Sequence, residues 1–146
     1  MSGSKARSAA RLAAVQALYQ HEMEATTIAR LLDEFHQHRL GAEIEDMQFN
    51  KAETAFFDDV VQGTIARRDE IDELLSEKLA EGWKIERLDR TMLQILRAGA
   101  YELLARADVP TGSAISEYVD VAHAFFDPRE ANFVNGLLDA VAKVVR

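Results

Sequence analysis

At 146 residues and 48% hydrophobic content, the chain can build a sizeable core as one domain or as two small subdomains. It has no cysteine, which excludes disulfides, thiolate metal sites and cysteine nucleophiles. Its apolar runs fall far short of the roughly 18 residues of a membrane span, and no apolar stretch follows the basic N-terminus as in a signal peptide. The expectation is a cytoplasmic protein with no membrane partner.

Charge is unevenly placed. Residues 1–20 carry Lys5, Arg7 and Arg11 and no acid, although the whole chain has a net charge of −8. A basic arm on an acidic body suits a chain that meets a polyanion at one end; a solvated N-terminus would have the same composition.

The elements follow in chain order. Leu12, Val15, Leu18, Tyr19 and Met23 recur at steps of three and four, predicting an amphipathic helix over about 7–23. Thr27 can cap a second helix running to Leu40, with Ile28, Leu31, Leu32 and Phe35 inward and Gly41 at its end. Asn50 and Glu53 are spaced as a capping box for a third and longest helix. Its apolar face holds Phe57, Val60, Val61 and Ile65, then Ile71, Leu74, Leu75 and Leu79, until Gly82. The polar stretch Ala66-Arg67-Arg68-Asp69-Glu70 interrupts that face and marks a passage between two subdomains.

A fourth helix spans about Leu88 to Arg106, with Met92, Ile95, Leu96, Gly99, Ala100, Leu103 and Leu104 inward, and stops at Asp108-Val109-Pro110. Ser113 caps a fifth, carrying Ile115, Tyr118, Val119, Ala122 and Phe125. A sixth starts with Asp127 as N-cap, Pro128 first and Glu130 third. Its stripe is Phe133, Val134, Leu137, Leu138, Val141, Val144 and Val145, and Gly136 is expected to allow close helix contact. No convincing strand alternation occurs, so the fold class is all-α with six or seven helices.

Chemistry is sparse. No GxxxxGK[ST] or GxGxxG loop is present, and no nucleophile elbow. Asp33 with His36 and Asp120 with His123 have the i, i+3 spacing that lets two side chains share a metal, as in carboxylate bundles. Solvated pairs would have the same spacing, and no matching inward acids stand out. Phe133 begins the last helix beside Asn132 and Asn135; it either packs in the core or, if exposed, stacks on a base.

Four segments in order resemble the NusB family. They are Arg11 followed by Leu12-Ala13-Ala14-Val15-Gln16-Ala17-Leu18-Tyr19; Leu96-Arg97-Ala98-Gly99-Ala100-Tyr101-Glu102-Leu103; Asp108-Val109-Pro110 with Ile115-Ser116-Glu117; and Phe133-Val134-Asn135-Gly136-Leu137-Leu138-Asp139. The resemblance implies two packed helical bundles, over about 7–80 and about 84–146. It further implies a non-catalytic, cofactor-free antitermination factor that binds single-stranded boxA RNA of ribosomal RNA operons jointly with NusE, a small-subunit ribosomal protein. RNA polymerase and other Nus factors are the implied wider partners.

By the same resemblance, Lys5, Arg7 and Arg11 form the RNA arm, although the family's arm often has consecutive arginines. Phe133 lies near the RNA face and Tyr19 at the NusE interface. Leu88-Asp89-Arg90 resembles the acidic start of the family's central helix, placed about one turn further upstream of Tyr101 than the family pattern, which makes Asp89 a candidate partner contact. Two other readings compete: a helical adaptor without RNA, and the ribosomal RNA methyltransferases to which such bundles are fused. The latter needs an α/β domain with a cofactor loop, which these 146 residues do not contain.

Overall fold

The computed structural model describes residues 2–39 and 51–146, with the side chains of 5–37 and 53–146. Among these residues are seven α-helices and no strand, as the all-α expectation required. The helices are α1 (Ser2–Glu24), α2 (Ile28–Glu34), α3 (Lys51–Ala66), α4 (Arg68–Lys78), α5 (Arg90–Ala105), α6 (Thr111–Phe125) and α7 (Pro128–Val145). A π-helical turn, Phe35–Arg39, follows α2, and a 3-10 turn, Ile85–Arg87, precedes α5. No described helix is long and apolar enough to cross a membrane. The chain divides into two compact units, Met1–Ile65 and Ala66–Arg146.

In the first unit, α1 buries an alanine face: Ala6, Ala10, Ala13, Ala14 and Ala17, with Val15 and Leu18. Small side chains let a helix approach its neighbours closely, so this face is inward, while Tyr19 and Met23, expected inside, stand 39% and 52% exposed. Thr27 caps α2 by accepting from the Arg30 amide, as its position predicted. Gly41 and Asn50, the expected helix end and helix cap, lie outside the described residues. Phe35 stacks on Phe57 with centroids 5.6 Å apart. Phe56, Phe57, Val60 and Val61 of α3 complete this core, each worth roughly 1.5–3 kcal/mol of burial.

The single long helix expected over 50–82 is two helices. The backbone leaves α-geometry at Arg67 (φ −107, ψ 20), and Asp69 and Glu70 then occupy the first turn of α4, with Lys78 in its last. That arrangement matches the helix dipole at both ends, which it could not do inside a continuous helix. The Arg67 guanidinium pairs with Glu70 at 2.9 Å across the break.

In the second unit α5 packs with α4, α6 and α7 and is buried throughout from Met92 to Leu103. A Cβ on Gly99 would lie 2.7 Å from Leu138 Cδ1 and 3.3 Å from Tyr118 Cγ, so the missing side chain sets how closely three helices approach. Gly136, expected in that role, faces open space. The fifth predicted helix begins earlier than placed: Pro110 precedes the first turn of α6, so Ser113 lies within the helix. Phe125, Phe133 and Val144 are exposed rather than inward. At the C-terminal end of α5, Arg146 donates to the carbonyls of Glu102, Leu103 and Arg106, those of Glu102 and Arg106 also accepting from the Arg106 and Val109 amides.

Candidate nucleic-acid interface

In the first unit, Arg7 and Arg11 lie one turn apart on α1 and turn to the same aromatic ring. Their guanidinium carbons sit 4.3 and 5.0 Å from the Phe56 centroid. A cation held over a ring face gains about 0.5–2 kcal/mol, more as water is excluded. Glu53, itself buried, places its carboxylate 2.8 Å from Arg7 Nε. Its spacing had suggested a helix cap; the structure adds this ion pair with α1.

The three expected arm cations therefore differ. Lys5 is exposed and Arg7 partly so, whereas Arg11 is 4% exposed. Arg11, against the Phe56 ring, is thus the least accessible of the three. Tyr19 and Met23 lie one turn apart on the same exposed stripe of α1, which keeps Tyr19 accessible to a partner.

The Asp–His pairs do not assemble as a metal site. His36 Nε2 meets Asp58 Oδ1 at 2.6 Å, and Asp33 accepts from Gln37. Asp120 and His123 are exposed on α6. No group of three or more potential ligands occurs among the described residues.

In the second unit, the segment before α5 is fixed by local hydrogen bonds. Gly82 adopts a left-handed conformation (φ 90), which a side chain would strain, and the Trp83 amide donates to the Ala80 carbonyl. The Arg90 guanidinium gathers the carbonyls of Ile85, Glu86 and Leu88 at 2.8–3.3 Å. Asp89 caps α5, its Oδ1 accepting from the Thr91 and Met92 amides at 2.8 and 3.1 Å. The residue expected to meet a partner is thus also a helix cap, and its exposed carboxylate stays at the surface.

Asp127 caps α7 by accepting from the Arg129 amide, as the sequence predicted. Hydrogen bonding with the Glu130 side chain holds the Asp127 carboxyl below the usual carboxylate range, against the opposing effect of desolvation and with help from the amides of Arg129 and Glu130 and from the Arg129 charge. Between these two helix starts lies a groove of about 620 Å3. Ala80, Trp83, Leu88, Asp89, Met92, Phe126, Arg129, Glu130 and Phe133 line it. Asp89 and Phe133 thus share one site. Trp83 is 59% and Phe133 37% exposed, while Glu130 Oε2 is buried with no hydrogen-bond partner among the described residues.

Sequence reasoning missed Trp83 and Glu130 as groove residues. A lone tryptophan beside Gly82, in a stretch without helical period, was the available signal for the first. Glu130 gave none beyond its place in a helix cap.

The NusB family model matches residues 8–143. The chain is 75% identical to the transcription antitermination protein NusB of Novosphingobium aromaticivorans, covering 97% of this chain and 96% of that one. It is 66% identical to the same-named protein of Sphingopyxis alaskensis, covering 98% and 96%. Among solved structures it is similar to the NusB of a crystal structure of antitermination factors NusB and NusE in complex with dsRNA. There the TM-score is 0.79 at 25% identity, covering 96% of this chain and 98% of that one.

Proposed function

The chain belongs to the NusB family, and from that premise we propose that it is a non-catalytic antitermination factor binding single-stranded boxA RNA of ribosomal RNA operons jointly with NusE. The observation that carries this is its likeness, over nearly the whole chain, to a NusB crystallised with NusE and RNA. RNA polymerase and other Nus factors are the wider partners in this reading.

The residues divide the work. Lys5 and Arg7 meet phosphates from the start of α1, with Arg11 behind them holding the Phe56 platform. Phe133 offers an exposed ring to an unpaired base, which favours a single strand over a duplex whose bases are already stacked. Tyr19 is the NusE contact, and Asp89 caps α5 while presenting its carboxylate to the same partner. Lys5 and the partly exposed Arg7, on a chain of net charge −8, bind a polyanion weakly, so a second protein supplies the remaining affinity.

A boxA-type RNA titrated by fluorescence anisotropy, with and without NusE, tests the reading. Binding is expected to tighten with NusE, and Lys5→Ala combined with Arg7→Ala to weaken it several-fold at unchanged helicity. Affinity unaltered in the double variant removes the arm from the interface; no binding even with NusE present favours the adaptor.

A further inference from the structure

Between α1 and α3 of the first unit, one buried carboxylate sits among the cations of the RNA arm. Glu53 and Phe56 stand one turn apart on α3, and both meet Arg7. Glu53 Oε2 lies 2.8 Å from Arg7 Nε, and the guanidinium carbon lies 4.3 Å from the Phe56 centroid. The Glu53 side chain is 8% exposed and that of Arg7 30%, so the anion is enclosed while the cation still reaches water. An enclosed carboxylate is costly to leave without a cation, which keeps this contact closed.

Resting on the proposal that Arg7 meets an RNA phosphate, we infer that Glu53 is the positioning residue for it. The carboxylate and the Phe56 ring fix the guanidinium, whose terminal amino groups are then presented to the phosphate. Arginine can serve two acceptors at once, because its five N–H donors form a rigid planar fork. The bond to Glu53 uses Nε, the donor nearest the stem. A phosphate can engage the two terminal amino groups end-on without displacing Glu53. The gain is entropic, since a side chain already held loses less rotamer freedom on binding. The carboxylate's own charge opposes a polyanion, but two guanidiniums share the Phe56 ring with that single carboxylate and leave the clasp cationic.

A mutant cycle on the full-length protein tests this, with boxA-type RNA and NusE in the anisotropy assay. Glu53→Gln, checked for unchanged helicity, is expected to weaken RNA binding about two- to tenfold while Arg7 is present. In the Arg7→Ala background the same change should alter affinity by about twofold or less, because nothing remains to be positioned. Arg7→Lys keeps the charge and needs no change at Glu53. It is expected to lose most of what Arg7→Ala loses, since an ammonium held on Glu53 has no second edge to turn to a phosphate.

Tighter binding by Glu53→Gln overturns the inference and makes Glu53 an internal competitor for Arg7. Equal losses in both backgrounds overturn it as well, as does unchanged affinity in either Glu53→Gln or Arg7→Lys. If Glu53→Gln does not fold, the Arg7→Lys result decides alone. RNA binding that depends on Arg7 but shows no coupling to Glu53 leaves the RNA reading standing, and only the positioning role fails. No RNA binding even with NusE present removes both.

Discussion

A guanidinium can serve a phosphate or a protein interior, and its access to water decides which. Arg7 and Arg11 have the same residue type, the same helix face and the same aromatic neighbour, yet one keeps partial exposure and the other is sealed. Arg11→Ala is therefore expected to act on folding: it removes a cation–π contact and leaves a cavity, costing about 2–4 kcal/mol in a urea titration. Its loss of RNA affinity should be no more than the loss of folded protein explains. A variant that keeps its unfolding midpoint but binds RNA several-fold more weakly would put Arg11 back among the direct contacts. The cationic stretch was legible because charge is a property of residue type. The burial of one member was not, because Phe56 reaches it from a distant helix.

At the scale of elements, signals carried by neighbouring residues were the most readable. Asp127, Pro128 and Glu130 start α7 as expected, and Thr27 caps α2, because a cap is a contact between residues two or three apart. The break at Arg67 was visible only as a polar interruption; the acidic pair behind it reads equally as a solvated helix face. The two helical glycines show what a single helix cannot reveal. Gly99→Ala is expected to destabilise the fold, since overpacking against fully buried Leu138 costs about 1–3 kcal/mol and outweighs the gain in helix propensity. Gly136→Ala, with open space around it, should stabilise by up to about 1 kcal/mol. Thermal unfolding followed by circular dichroism separates them by sign, and shifts in one direction would contradict this packing.

For the whole molecule, the number of cations facing RNA sets the response to salt. With Lys5 and Arg7 engaged, log Kobs against log salt should fall with a slope of about −1.4, against about −2 if Arg11 also neutralised a phosphate. Titrations at several salt concentrations distinguish these, and the slope should steepen when NusE adds its own contacts. A slope near zero would remove phosphate contacts from the reading altogether. The sequence alone determined the helical fold class, the caps at Thr27 and Asp127, and the family, because periodicity, capping and ordered motifs are written in residues close along the chain. Tertiary structure decided which face of α1 is buried, which glycine lies between helices, that Arg11 is enclosed, and that Trp83, Glu130 and Phe133 share a groove. Each depends on side chains far apart in sequence meeting in space, where packing and the exclusion of water determine what a residue can do.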